Sequence, residues 1–115
     1  MPRRVLSVSY DPVLLKTREM ILEKQGYIVC SVQTLEDAIQ ASRSKCFDVA
    51  IIGHSIPIDD QRQIASVIRQ NRAASFVVAL KSREGEDTPF ADRAMDAHKP
   101  EQMIAELEGM FTDGG

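Results

Sequence analysis

Six residues in the middle of the chain, FDVAII at Phe47–Ile52, decide the fold class. The run from Val49 to Ile52 is continuously apolar, without the alternation of apolar and polar residues that marks a half-exposed strand. Such a run is typical of a strand buried on both faces, as in a parallel sheet covered by helices. A second run of this kind, FVVAL, follows at Phe76–Leu80. Together they predict a parallel sheet with helices on both faces.

Outward from these two runs, apolar strand segments alternate with helical patterns along the whole chain. The predicted strands cover residues 5–8, 27–30, 47–52, 76–80 and 96–98. The predicted helices cover residues 11–26, 34–45, 60–70 and 88–95, and a last one begins at 100. Right-handed crossovers between parallel strands then predict an α/β fold, a doubly wound sheet of order 2-1-3-4-5 in three α/β/α layers.

The sequence also predicts which residues of the first and last helices face the core. Asp11 is expected to cap the first helix, with Pro12 in its first turn. The predicted inner stripe of this helix is Val13, Leu14, Thr17, Met20 and Ile21. The predicted apolar face of the last helix is Met103, Ile104, Leu107, Met110 and Phe111. Met20 and Met103 are expected to fill the core.

Length and composition exclude several classes of protein. The chain has 115 residues, which predicts one domain over 1–115 with a frayed tail at 112–115. Its 14 basic and 17 acidic residues give a net charge of −3, so no basic excess exists to neutralise nucleic-acid phosphates. No stretch approaches the roughly 20 apolar residues of a membrane span. Cys30 and Cys46 are expected to be reduced core thiols, which predicts, with no signal peptide, a cytoplasmic protein.

Polar side chains collect where the predicted strands end. Ligands of an open parallel sheet bind beyond the carboxyl ends of its strands. The candidate pocket residues there are Asp11, His54, Ser55, Lys81, Ser82 and Lys99. One carboxylate beside two ammonium groups is a poor site for Mg²⁺, which prefers carboxylate oxygens. The balance predicts no metal, and favours an anion or no ligand.

Four motifs in order along the chain carry a resemblance to a known family. They are the strand and acidic turn VLSVSYDP at Val5–Pro12, the Gly26-Tyr27 pair, the strand DVAII at Asp48–Ile52 with Pro57 beyond it, and Lys99-Pro100. Taken together, they resemble the receiver domain of response regulators in two-component systems. The resemblance covers about 110 residues and implies a flavodoxin-like fold, in agreement with the predicted topology.

The same resemblance shows that the family's chemistry is absent. Receivers carry a phosphoacceptor aspartate at the end of the third strand, and that position here is Gly53. Two metal-binding acidic residues follow the first strand in the family, and those positions here are Ser9 and Tyr10. The chain therefore resembles a degenerate pseudo-receiver that keeps the fold without the phosphotransfer site.

The switch positions are degenerate as well. The family's Thr or Ser at the end of strand four falls on Lys81, or on Ser82 if the register shifts by one. The aromatic switch position falls on Asp96, and only Lys99 remains of the catalytic set. The segment between Lys81 and Lys99 is short for the family, which predicts a stunted fourth helix.

Alternative roles remain open for several of these residues. Asp11 is interpreted as a helix cap, with a surviving metal ligand as the alternative. Lys99 is expected to pair with Asp11, and Lys81 is either a surface lysine or part of an anion-binding patch. His54 is either a loop histidine or a substitute phosphoryl acceptor, and a metal held by His54 and His98 lacks a third ligand.

The resulting functional hypothesis is a module of two-component signalling that acts by protein–protein contact, without phosphorylation, and is not an enzyme. Its expected partners are a sensor kinase, an effector or a second copy, with no cofactor, nucleic acid or membrane. The resemblance implies contact through the last helix and its neighbours, or through the first helix. The alternatives are a sensor of a small anion or nucleotide at the strand ends, and a phosphoryl acceptor that uses His54 or Ser55.

Overall fold

The computed structural model describes residues 2–82 and 88–113, with the side chains of residues 2–82 and 88–111. Five strands and four helices follow one another in this part of the chain. The strands are β1 (Arg4–Val8), β2 (Ile28–Val32), β3 (Phe47–Ile52), β4 (Ala74–Lys81) and β5 (Arg93–Asp96). The helices are α1 (Pro12–Lys24), α2 (Leu35–Ser44), α3 (Ile58–Gln70) and α4 (Pro100–Asp113).

The sheet has the predicted order β2-β1-β3-β4-β5, and all four strand pairs are parallel. β3 lies at its centre, between β1 and β4, with Val49 opposite Val5 on one side and Phe76 on the other. Four of its six residues, Val49 to Ile52, are at most 1% exposed. The unbroken apolar run in the sequence therefore marks the strand that both helical layers cover.

Two hydrophobic clusters, one on each face of the sheet, form the core. Side chains alternate between faces along a strand, so Leu6 and Val8 of β1 point one way and Val5 points the other. The first face packs against α2 and α3 around Ala38, Ile64 and Ile68. The second face packs against α1 and α4 around Leu22, Met103, Leu107 and Met110. The predicted three-layer fold and the apolar face of α4 are confirmed.

The predicted inner stripe of α1 is wrong. Val13 and Met20 are 71% and 60% exposed, and Thr17 is exposed too. The buried residues of α1 are Leu15, Arg18 and Leu22. These three are spaced by three and four positions, the spacing of one helix face. Of the predicted stripe, Leu14 and Ile21 are half-buried, and the charged Arg18 takes a place in the buried face that the apolar pattern does not predict.

The segment before α4 also differs from its prediction. The helix expected over 88–95 is absent from residues 88–92, and β5 occupies Arg93–Asp96 where the end of that helix was placed. β5 thus begins three residues before the predicted strand at 96–98. Asp92 fixes its start, because its N–H donates to the carbonyl of Val77 and its carboxylate accepts from the N–H of Val77. Residues 83–87 of the predicted loop lie outside the described residues.

Both cysteines are free, but Cys30 is half-buried and Cys46 is exposed, so neither is the core thiol expected. Cys46 precedes β3 at the exposed end of the strand. The tail expected to fray from residue 112 begins inside α4, which continues to Asp113, and residues 114–115 lie outside the described residues. No helix among the described residues is long and apolar enough to cross a membrane.

Candidate functional site

The loop between β1 and α1 is ordered by its own polar groups. Ser9 is fully buried, and its hydroxyl donates to the carbonyl of Asp11 (3.3 Å) and accepts from the N–H of Asp11 (3.2 Å). The Asp11 carboxylate accepts from the N–H groups of Val13 (2.9 Å) and Leu14 (3.3 Å). Asp11 therefore caps α1, as predicted, and the Ser9 hydroxyl holds the turn that leads into the cap.

Tyr10 connects this loop to the start of α3. Its hydroxyl donates to the carboxylate of Asp60 at 2.9 Å, and its ring packs at the edge of the core on the α2–α3 face. Burial raises the pKa of Tyr10 to about 12, and the bond to the Asp60 carboxylate acts in the same direction. The side chain at one of the degenerate acid positions is thus engaged in a tertiary contact.

This contact predicts a pH dependence of stability. The Tyr10 phenol keeps its proton to about pH 12 in the folded chain, whereas its ordinary pKa is 10.0. Tyr10→Phe should therefore be less stable than the parent at pH 8, and the difference should shrink as pH rises from 10 towards 12. Urea unfolding of both chains across this pH range measures it. A difference that stays constant with pH would contradict the assigned proton.

Gly53 lies just beyond β3, at the degenerate phosphoacceptor position, and a side chain added there would make tight contacts. Its N–H donates to the carbonyl of Val8 at 2.9 Å, which fixes it beside the end of β1. A Cβ placed on Gly53 would lie 2.9 Å from Nη1 of Arg18, 3.0 Å from the Val8 carbonyl oxygen and 3.4 Å from Cβ of Ser9. The guanidinium of Arg18 therefore occupies the space that an acceptor side chain would take.

Arg18 is a residue of this site that the sequence interpretation missed. It is 6% exposed, and neither Nη1 nor Nη2 has a hydrogen-bond partner in the described part of the chain. Burial lowers the pKa of Arg18, and the charge of Asp11 opposes that shift. An arginine stays protonated regardless, so a full positive charge lies beneath Gly53. The signal in the sequence was its position between Leu15 and Leu22 on one helix face.

Of the two pocket lysines, Lys99 does not pair as predicted. Lys99 is exposed and its Nζ lies 3.9 Å from the carboxylate of Asp96, so the expected pairing with Asp11 is wrong. β5 ends at Asp96, three residues before Lys99. The ammonium group of Lys99 therefore lies near the carboxylate of Asp96, in its own turn. Lys81 ends β4 directly opposite Asp96 in the sheet register. The carboxylate at the degenerate aromatic switch position thus lies beside both lysines.

A depression of ≈ 290 Å³ lies between β4, β5 and α4. Lys81, Lys99, Asp96 and Glu106 all line it. Two ammonium groups and two carboxylates leave it without the positive excess that the sequence suggested. The lysine pair therefore loses its electrostatic basis as an anion site.

The remaining candidates lie on the loops above the sheet. The rings of His54 and His98 are 5.7 Å apart between centroids, so the structure brings the two histidines together. Among the described residues no group of three or more His, Cys, Asp or Glu side chains is arranged to hold a metal ion. Ser55 and Ser82 are exposed.

Comparisons with known proteins identify the fold. No protein-family profile and no curated protein sequence matches the chain. Solved structures match over nearly the whole length, and many of these are response regulator receiver domains. The chemotaxis response regulator CheY4 of Vibrio cholerae has a TM-score of 0.80 at 16% identity, with 94% of this chain and 98% of that chain covered.

Two further structures match equally well. The receiver domain of a sensor histidine kinase from Pseudomonas aeruginosa, solved with a magnesium ion in its active site cleft, has a TM-score of 0.78 at 18% identity, with 94% and 96% covered. The N-terminal domain of a response regulator/sensory box/GGDEF three-domain protein from Carboxydothermus hydrogenoformans has a TM-score of 0.79 at 23% identity, with 94% and 92% covered. At these identities the likeness establishes the fold, the flavodoxin-like fold of CheY.

Proposed function

We propose that this chain is a degenerate receiver module of two-component signalling that works by protein–protein contact and without phosphorylation. The observation that carries the proposal is the arginine beneath Gly53. At the degenerate phosphoacceptor position the chain has no carboxylate, and Nη1 of Arg18 would meet a Cβ there at 2.9 Å. The receiver fold of its structural neighbours supports the signalling context.

Phosphoryl transfer needs a nucleophile and cations that neutralise the transferring group. A receiver supplies an aspartate and a metal ion held by carboxylates. Here the hydroxyls at the two degenerate acid positions are engaged, Ser9 with Asp11 and Tyr10 with Asp60. A fixed guanidinium beside them repels a divalent cation. The arrangement therefore favours one permanent state over a metal-dependent switch.

The outer face of α1 supports a role in protein contact. Among the described residues, Val13 and Met20 are the two most exposed large hydrophobic ones, and they lie seven positions apart on the same helix face, with Thr17 between them. Apolar side chains exposed side by side are a common feature of interaction surfaces. The proposed partner is a cytoplasmic sensor kinase or effector, or a second copy of the chain.

The proposal predicts that small phosphodonors leave the chain unmodified. After incubation with acetyl phosphate and Mg²⁺, the intact mass should be unchanged, because no carboxylate nucleophile stands at position 53. Mass spectrometry under denaturing conditions measures this, with a receiver that has an intact acceptor treated in parallel. A covalent gain of one phosphoryl group would contradict the proposal. A gain that His54→Gln or Ser55→Ala abolishes would establish the substitute acceptor instead.

A further inference from the structure

The guanidinium of Arg18 is a buried charge with open hydrogen-bonding capacity. Nη1 and Nη2 carry four of its five N–H groups, and neither atom has a partner among the described residues. The hydroxyl of Ser7 on β1 is also buried and without a partner. Ser7 shares a face of β1 with Ser9, the face that packs against α1. Buried polar groups in native proteins are nearly always paired, so the open donors of Arg18 point to a ligand.

Two acidic side chains lie near Arg18 along the chain, and neither bonds Nη1 or Nη2 of its guanidinium. One oxygen of Asp11 caps the helix, and no oxygen of this carboxylate lies within hydrogen-bond distance of the guanidinium. Glu19 accepts hydrogen bonds from Lys16 at 2.8 Å and from Ser31 of β2 at 2.9 Å. The strand ends that face Arg18 contribute Ser9 and Gly53, which carry no charge. Among the described residues, no carboxylate therefore bonds Nη1 or Nη2, although the charge of Asp11 acts on the guanidinium from a distance.

We propose that Arg18 binds a small inorganic oxyanion of the phosphate class, beside Gly53 at the ends of β1 and β3. The planar fork of a guanidinium donates two parallel hydrogen bonds to an oxyanion, and such charge-assisted bonds are the strong ones inside proteins. A neutral water molecule would satisfy donors but not the charge. The missing side chain of Gly53 is what lets the guanidinium reach this place.

The ion has a route to the site. Tyr10, Asp11 and His54 belong to the loops at this edge of the sheet, and all three are half-buried, with surface in contact with solvent. Entry then needs rotation of loop side chains and leaves the strands in place. This site is separate from the depression that Lys81 and Lys99 line. It also goes beyond the proposed signalling role, since an oxyanion can stabilise the chain whether or not the chain has a partner.

The test is thermal unfolding of the full chain in a chloride buffer free of phosphate and sulfate, titrated with sodium phosphate or with sodium chloride at matched ionic strength. Phosphate should raise the melting temperature by a few degrees in a saturable way, because a ligand that binds only the native state stabilises it. Arg18→Met should lose this response. Arg62→Met, which removes an exposed arginine from α3, should keep it. A parallel titration with acetate distinguishes carboxylates from tetrahedral ions.

A second variant keeps the test decisive if Arg18→Met does not fold. Gly53→Asp places a carboxylate beside the guanidinium and should abolish the phosphate response while the chain stays folded. Isothermal titration calorimetry with phosphate should show one ion per parent chain. Equal stabilisation of the parent and Gly53→Asp by phosphate, or no saturable response of the parent, would overturn the proposal. The donors of Arg18 would then be satisfied by water.

Discussion

Gly53→Asp should stabilise the chain by about 2 kcal/mol, although it adds a side chain at a place without free space. An uncompensated buried charge costs about 3–5 kcal/mol, and Arg18 is such a charge. The new carboxylate would lie within reach of Nη1, since the added Cβ would stand 2.9 Å from it. The same Cβ would lie 3.0 Å from the Val8 carbonyl oxygen. This crowding should lower the free energy of unfolding by ~1–3 kcal/mol.

The same substitution should have the opposite effect in an Arg18→Met background. There the carboxylate is buried without a partner, which should cost about 3 kcal/mol. Urea unfolding of the parent, both single variants and the double variant gives the coupling energy directly. Gly53→Asn is the matched control, because it has nearly the same shape and no charge. Destabilisation of equal size in both backgrounds would show that Arg18 does not reach position 53.

Leu22→Ala should lower the free energy of unfolding by about 3 kcal/mol, within the range for a buried leucine. Leu22 is fully buried in the cluster between α1, α4 and the sheet, so truncation leaves a cavity. Met20→Ala, two residues away on the same helix, should change it by less than about 0.5 kcal/mol, because Met20 is 60% exposed.

This pair separates the two faces of α1. The sequence interpretation placed Met20 in the core, and the structure places Leu22 there together with Arg18. Denaturant unfolding of both variants, with circular dichroism to verify that each is folded, measures the difference. A larger loss of unfolding free energy from Met20→Ala than from Leu22→Ala would show that the predicted stripe faces the core. Arg18 would then not belong to the site.

The sheet could be predicted because the sequences of its central strands are compatible with few structures. Val49 to Ile52 and Val77 to Leu80 are apolar without interruption, and only a strand covered on both faces suits such a run. With helices between consecutive strands, right-handed crossovers then restrict the topology to a few solutions. The order 2-1-3-4-5 is confirmed for this reason, and so is the cap at Asp11, which depends on residues adjacent in sequence.

The prediction was wrong for elements in which a single residue changes the apolar pattern. A charged Arg18 inside an apolar stripe shifted the predicted face of α1 by about one third of a turn. The strand β5 has four residues, of which only Met95 is fully buried, so its periodicity carries little information. The pairing of Lys99 with Asp11 was expected only from the resemblance to receivers. In the structure Lys99 lies beyond a turn and pairs with Asp96.

The candidate site could be located from the sequence, but its electrostatics could not. The strand ends carry Ser9, Tyr10 and Gly53 as expected, because register and topology determine which residues meet at this edge. The charge that dominates there comes from α1, two turns below the cap, through a long side chain. Only the coordinates show that the space left by Gly53 is filled by a guanidinium.

The central claim is that this chain keeps one conformation when phosphodonor and metal are supplied. Amide ¹H–¹⁵N spectra of the labelled full chain test it most directly, with Mg²⁺ and acetyl phosphate compared with Mg²⁺ and an equal concentration of inorganic phosphate. The account predicts that the two spectra coincide, because any effect of an oxyanion at Arg18 is common to both samples. A set of amides in β4, β5 and α4 that shifts only with acetyl phosphate would contradict the account.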